Sequence, residues 1–157
     1  MNLTFNKGEK TFPELPVMYI TTTVPHEEMR QTRMYFMKLG LYAFSKRAKP
    51  TGDVFIRYID ETPDTITMEI CFGVEKLLPE TKDIKSKILP KTSGHYAICT
   101  HVGPREELID AYVSFAQWFQ KEQLERSGGP LIEYYGNDPR KTPKQDLITE
   151  LYWPIEK

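Results

Sequence analysis

The chain carries one sequence pattern twice, first in residues 17–74 and again in residues 96–155. Each copy opens with a run of β-branched and aromatic residues, which favours a strand. A helix start, a turn, a second strand, a polar turn and a third strand then follow in the same order in both copies. The repeat therefore predicts two strand-helix-strand-strand units.

The predicted helix starts agree most closely between the copies. Pro25 and Pro104 are 79 residues apart, and each is followed, one residue later, by two glutamates. Proline is favoured in a first helical turn, and glutamates there complement the positive end of the helix dipole. The second helix is the more clearly amphipathic, because its apolar residues recur at helical spacing. These residues are Leu108, Tyr112, Phe115 and Phe119.

Two strands joined by a polar turn are predicted after each helix, and each pair is expected to form a hairpin. They are residues 54–58 and 67–74 in the first copy, and 130–135 and 148–155 in the second. Overlaying the copies places Glu69 and Glu150 at the same position of the last strand.

A lone unit of this size would leave much apolar surface in water, because its helix covers only one face of the sheet. We therefore expect one α+β domain over residues 1–157, with repeats at about 17–74 and 95–155 joined edge to edge. The sheet is expected to be mostly antiparallel and pseudo-twofold symmetric, with both helices on one face and a ligand groove between the halves. The lysine-rich segment 75–92 is expected to serve only as a connector.

The charge balance argues against several functions. Lys and Arg number 21 against 22 Asp and Glu, so no basic excess attracts nucleic acid or anionic lipid. The first residues lack the apolar run of a secretory signal, and no stretch approaches the ~20 apolar residues of a membrane span. Cys71 and Cys99 stand alone, and the three histidines show no ligand spacing. We expect a cytoplasmic protein without metal or cofactor.

Strand alternation defines a candidate site around the last strand. It places Ile148, Glu150 and Tyr152 on one face. In the preceding strand Glu133 shares a face with Tyr135, whereas Tyr134 points to the opposite side, and either tyrosine is able to reach the groove. A buried lone carboxylate forms an ion pair within the protein, takes up a proton or binds a cationic ligand. The faces of aromatic rings attract delocalised cations.

The other candidates also have a structural interpretation. Glu69 is a further possible counter-charge, but Arg57 is a candidate to neutralise a carboxylate in that copy, and strand glutamates are commonly exposed or salt-bridged. Aromatic residues on other elements are open between core and pocket wall. The full set of candidate ligand-binding residues is Glu150, Tyr152, Glu133, Tyr135, Tyr134, Glu69, Tyr58, Trp118 and Tyr19.

The repeat, the two Pro-x-Glu-Glu helix starts and the closing residues Thr-Glu-Leu-Tyr-Trp-Pro-Ile at 149–155 resemble the GyrI-like small-molecule-binding family, the AraC-type effector-binding domains. The resemblance covers roughly residues 17–155. Family members occur fused to helix-turn-helix domains in transcription regulators, as free-standing proteins and as DNA gyrase inhibitors. This chain is similar to the free-standing members, because the residues before Val17 are too few for a DNA-binding domain.

The resemblance implies a pocket that accepts diverse lipophilic, often cationic, ligands, with Glu150 of the last strand as counter-charge. Two alternatives stay open. Some family members hydrolyse cyclopropane-containing alkylating compounds with pocket residues, which here would be a glutamate and a tyrosine. A protein partner, either a transcription factor or DNA gyrase, rests on family analogy alone.

Overall fold

The computed structural model describes residues 1–157 and has an α+β fold built from antiparallel strand pairs and two α-helices. The elements in chain order are β1 (Asn2–Phe12), β2 (Leu15–Pro25), α1 (Arg33–Ser45), β3 (Pro50–Glu61), β4 (Thr65–Val74), β5 (Lys85–Leu89), β6 (Thr92–Val102), α2 (Leu108–Lys121), β7 (Leu131–Tyr135) and β8 (Ile148–Pro154). Neither helix has the length and apolar content that crossing a bilayer requires.

The chain divides into two compact units, which correspond to the two repeats. The first unit contains residues 12–92, and the second contains residues 1–11 and 93–157. Strand order is β3-β4-β2-β5 in the first unit and β1-β6-β8-β7 in the second. The strand-helix-strand-strand order predicted from the repeat is therefore confirmed in both units.

In the first unit, α1 packs on strands β2 and β4. Leu39 and Ala43 are the buried residues of this helix. The hydroxyls of Thr22 and Tyr35 lie 3.4 Å apart, which places α1 over the face of β2 that also carries Met18 and Ile20. Burial of these apolar side chains holds helix and sheet together.

In the second unit, α2 packs on the sheet through Phe115, which is fully buried. Its ring centroid lies 4.1 Å from that of Trp153 in β8. Leu151, Cys99 and Ala97 complete the buried cluster beneath the helix. The amphipathic pattern predicted for this helix is confirmed, because Leu108 and Phe115 are buried and Tyr112 and Phe119 pack against the core.

The two helix starts differ more than their sequences indicate. Pro25 and Pro104 each precede a single turn of 3-10 helix, at His26–Glu28 and Arg105–Glu107. In the second unit α2 continues directly at Leu108, whereas α1 begins only at Arg33, so the first helix starts later than the proline signal predicts.

Two strands lie outside the predicted repeats. β1 extends the second unit beside β6, and its Leu3 and Phe5 pack on the core. β5 lies within the predicted connector and pairs antiparallel with β2. Segment 75–92 thus joins the two repeats and also contributes an edge strand to the first unit. The sequence did not predict this strand because the segment is rich in lysine, although lysine is typical of strands at a sheet edge.

Candidate functional site

Glu150 lies on β8, which has a neighbouring strand on each side in the sheet of the second unit. It lies opposite Thr100 of β6 on one side and Tyr134 of β7 on the other. Residues that pair directly across strands project from the same face of a sheet, about 5 Å apart. We call this surface the Glu150 face. It contains Tyr96, Ile98, Thr100, Val102, Ile132, Tyr134, Ile148, Glu150 and Tyr152.

The Glu150 carboxylate is half-buried and accepts a hydrogen bond of 2.9 Å from the Tyr152 hydroxyl. Burial is the main reason that the pKa of Tyr152 is raised well above its usual value, and the negative charge of Glu150 adds to the effect. The phenol therefore keeps its proton and acts as a donor. None of the ion pairs in the structure involves Glu150.

Two tyrosines lie beside this carboxylate, Tyr134 across the strand pair and Tyr152 as its hydrogen-bond donor. The Tyr96 and Tyr152 rings meet edge to face, with centroids 6.0 Å apart. The Lys10 ammonium lies 5.7 Å from the centroid of the Tyr152 ring, at a distance where the ring face attracts a cation. The Glu150 face is thus apolar and aromatic, with a carboxylate at its centre, and one of its rings already has a cation over it.

The equivalent glutamate of the first unit has a different environment. Glu69 lies opposite Thr21 on one side and Arg57 on the other. Arg57 donates to one carboxylate oxygen, and the Lys87 ammonium lies 2.6 Å from the other. Lys87 also lies 4.4 Å from the centroid of the Tyr19 ring. Two protein cations therefore neutralise Glu69, and the nearby aromatic ring is occupied by one of them.

Glu133 is fully buried and projects from the opposite face of its sheet to Glu150. The Tyr112 hydroxyl of α2 donates to one oxygen at 2.6 Å, and the Tyr135 hydroxyl donates to the other. Hydrogen bonds of this kind stabilise the charged form of a buried carboxylate. The Arg105 guanidinium carbon lies 4.2 Å from the centroid of the Tyr135 ring.

Tyr58 and Trp118 have surroundings of their own, one in each unit. Tyr58 is buried and points to the other side of β3 from Arg57. Trp118 stacks on Phe5, with ring centroids 5.4 Å apart, and packs against the core of the second unit. Among the predicted residues of the second unit, Tyr134 and Tyr152 share a face with Glu150, whereas Glu133 and Tyr135 form a second cluster.

A buried polar group that sequence reasoning missed lies at the end of β6. His101 is fully buried, and its Nε2 lies 3.0 Å from an oxygen of Glu107. The other ring nitrogen, Nδ1, has no hydrogen-bond partner, and neither has the hydroxyl of its cross-strand neighbour Thr149. Gly103, at φ +147, permits the close approach, because a Cβ there would lie 2.6 Å from the Glu107 oxygen.

The first unit also contains an open cavity of about 750 Å³ beside α1. Its charged lining residues are Arg30, Arg33, Lys38, Lys82, Asp83 and Lys85. Lys38 and Asp83 form an ion pair at 2.9 Å. The lining is strongly basic, which does not suit a cationic ligand, and it contains none of the predicted ligand-binding residues.

Solved structures share this fold over nearly the whole chain. The EcmrR chain in a complex with DNA matches with a TM-score of 0.76 and 20% identity, covering 98% of this chain and 58% of that one. The separate EcmrR C-terminal domain matches with a TM-score of 0.71 and 21% identity, covering 98% of both chains. SAV2435 bound to tetraphenylphosphonium matches with a TM-score of 0.66 and 14% identity, covering 96% of this chain and 94% of that one.

The chain therefore spans 58% of the length of the EcmrR chain, and its fold is that of the EcmrR C-terminal domain. A comparison with curated protein sequences gave no match. The GyrI-like small molecule binding domain matches residues 9–156, which is almost the entire sequence. This match agrees with the repeat, the helix starts and the closing motif, and the chain belongs to the GyrI-like small molecule binding domain family.

Proposed function

We propose that this protein binds hydrophobic cationic small molecules on the Glu150 face, with Glu150 as the counter-charge. One observation carries the proposal. The repeat provides two equivalent strand glutamates, and Glu69 is neutralised by Arg57 and Lys87, whereas Glu150 forms no ion pair. A half-buried carboxylate without a cation retains the electrostatic attraction that a ligand can use.

The surroundings of Glu150 favour a particular chemical class of ligand. Tyr134 and the partly exposed Ile98, Ile132 and Ile148 offer a ring face and aliphatic area, while Tyr152 is buried beside them and donates to Glu150. This surface has few hydrogen-bonding groups that would select one molecular shape. A cation whose charge is delocalised or shielded by apolar groups loses little hydration on binding there. Quaternary phosphonium and ammonium compounds and aromatic dyes have this character, so we expect broad selectivity.

The comparisons support this class of ligand by analogy. SAV2435, which shares the fold, was solved bound to tetraphenylphosphonium, a lipophilic cation. EcmrR combines a domain of this fold with DNA binding. We infer that the present protein acts in the cytoplasm as a multidrug-binding module that sequesters such compounds or signals their presence to a protein partner such as a transcription factor.

The proposal is tested by titrating the purified protein with tetraphenylphosphonium, using displacement of ethidium or a rhodamine dye as the signal. We expect saturable binding at one site, and weak binding of neutral aromatic compounds of similar size, because they forgo the attraction of Glu150. An absence of binding across a panel of lipophilic cations would refute the proposal.

A hydrolase is the second candidate function, and the Glu150–Tyr152 hydrogen bond of 2.9 Å is the observation that favours it. A carboxylate beside a protonated phenol has the groups needed to activate water and to donate a proton to a leaving atom. A hydrolase encoded by lin2189 of Listeria innocua also shares the fold, with 14% identity and a TM-score of 0.56. Mass analysis after incubation with a cyclopropane-bearing alkylating compound tests this function.

A further inference from the structure

Helix α1 is apolar on its outer side as well as on the side that faces the sheet. Leu39 and Ala43 are buried, but four large apolar side chains point outwards. Their exposed fractions are 79% for Met34, 54% for Met37, 68% for Leu41 and 84% for Phe44. We call these four residues the α1 stripe. The equivalent helix α2 has only two such residues, Ile109 and Val113.

The α1 stripe has the spacing of a helix–helix interface. Its members follow one another at intervals of three, four and three residues. At about 100° per residue these positions lie within a sector of about 80°, so they form one continuous seam along the helix. Scattered single apolar residues are normal on a surface, but a contiguous apolar seam marks an interaction site.

Positive charge surrounds the stripe. Between Glu28 and Asp53 the sequence contains no acidic residue and six basic ones. These are Arg30, Arg33, Lys38, Lys46, Arg47 and Lys49. Arg33 and Lys38 flank the seam on opposite sides, in the positions from which charged side chains select a helical partner, and Lys38 also pairs with Asp83 at 2.9 Å. The open cavity beside α1 adds Lys82 and Lys85.

Helix stability does not account for Arg33, whereas Lys46, Arg47 and Lys49 follow the C-terminus of α1, where cations complement the dipole. The first turn of α1 contains Arg33 and no acidic residue, which opposes the helix dipole. The first turn of α2, by comparison, contains Asp110. A cation in the first turn, next to an exposed apolar seam, is explained better by what it binds.

The positive charge also distinguishes two possible binding partners of the α1 stripe, a second copy of this chain and a different protein. If a second copy docked through the same stripe, the cations of both helices would meet without any acidic residue of α1 to compensate them. We propose that the α1 stripe binds an acidic amphipathic helix of a partner protein. This helix presents apolar residues at three- and four-residue intervals, flanked by Asp and Glu. The interaction is separate from ligand binding at Glu150 and does not depend on it.

The test uses a synthetic helical peptide of about three heptads, with leucine at the seam positions and glutamate beside them. A control peptide has lysine in place of every glutamate. Fluorescence anisotropy with the full chain should show saturable binding of the acidic peptide, weakened by high salt, and at least tenfold weaker binding of the basic one. Equal binding of the two peptides would overturn the charge argument.

Substitutions in α1 and α2 test whether the peptide binds at the α1 stripe. Leu41→Gln combined with Phe44→Ser should weaken acidic-peptide binding at least tenfold, and both sites are exposed, so the fold should persist in thermal melting. The matched control is Ile109→Gln combined with Val113→Gln on α2, which should bind as the wild type does. The proposal fails if the α2 control loses binding equally, or if no acidic peptide binds. It also fails if sedimentation shows self-association that Leu41→Gln abolishes, since the occupant is then a second copy.

Discussion

Glu150 lies directly opposite Tyr134 in the β7–β8 pair, at the position where the first repeat sets Glu69 opposite Arg57. Threonine is the neighbour on the other side in both units, Thr100 in one and Thr21 in the other. The repeats thus keep the glutamate and exchange its basic neighbour for an aromatic one. This exchange converts an internal ion pair into a carboxylate beside an aromatic ring.

A basic residue placed opposite Glu150, as Arg57 is opposite Glu69, should weaken ligand binding on the Glu150 face. In Tyr134→Arg, the new guanidinium lies across from Glu150 and neutralises it as Arg57 neutralises Glu69. We expect affinity for tetraphenylphosphonium to fall at least tenfold, or about 1.4 kcal/mol, in a calorimetric titration. Tyr134→Phe keeps the ring and should bind within about threefold of the wild type, a difference of about 0.7 kcal/mol. Unchanged binding in Tyr134→Arg would show that this residue pair does not control affinity.

Glu69 and Glu150 should differ in their contribution to stability. Glu69→Gln leaves Arg57 and Lys87 without their shared carboxylate in a site where the Glu69 side chain is 9% exposed. We expect unfolding free energy to fall by about 1–3 kcal/mol, since both cations are partly solvated. Glu150→Gln retains an acceptor for Tyr152 and should cost less than about 1 kcal/mol. Urea denaturation of the two variants gives the comparison, and equal losses would contradict the assigned roles.

Thr149 offers a stabilising substitution. Its hydroxyl is buried and has no hydrogen-bond partner, and valine has nearly the same shape. Thr149→Val should therefore leave unfolding free energy unchanged or raise it by up to about 1 kcal/mol, because an unsatisfied polar group is removed from the core. A loss of more than about 1 kcal/mol in urea denaturation would mean that the hydroxyl has a partner in solution.

The buried cysteines predict how stability responds to alkali. Burial raises the pKa of Cys71 and of Cys99 from 9.0 to about 12, and the charge of Glu69 adds to the shift at Cys71. The folded state then holds these protons more tightly than the unfolded chain does. Their contribution to stability is present in full below about pH 9 and is lost as the pH rises towards 12.

Cys99→Ala measures this contribution, because burial alone shifts the pKa of that thiol. Unfolding free energy should decline less steeply between pH 9 and 12 in the variant than in the wild type. Native protein at pH 8 should also react slowly with a thiol reagent, since both thiols are buried and protonated. Identical pH slopes for variant and wild type would contradict the assignment.

Local patterns in the sequence predicted much of the fold. The turn, proline and alternation signals gave the order of the repeated elements, and the predicted coincidence of Glu69 and Glu150 is confirmed by their matching strand registers. Alternation also predicted that Glu133 shares a face with Tyr135 and not with Tyr134. These features depend on near neighbours in the chain, which periodicity reports directly.

The features that were missed depend on tertiary contacts. Lys87 neutralises Glu69 only because β5 pairs with β2, and a short lysine-containing strand carries little periodic signal. The hydrogen bond from Tyr112 to Glu133 joins a helix to a strand, and helical spacing shows only that Tyr112 faces the sheet. Residues that are distant in sequence therefore determine which glutamate is neutralised within the protein and which one can attract a ligand.

The most direct test of the account is a calorimetric titration of tetraphenylphosphonium into the wild type, Glu150→Gln and Glu133→Gln, each shown by thermal melting to be folded. The account predicts that Glu150→Gln weakens binding at least tenfold, about 1.4 kcal/mol, and that Glu133→Gln binds as the wild type does. Binding that survives in Glu150→Gln and is lost in Glu133→Gln would contradict it and would place the cation beside Tyr112 and Tyr135 instead.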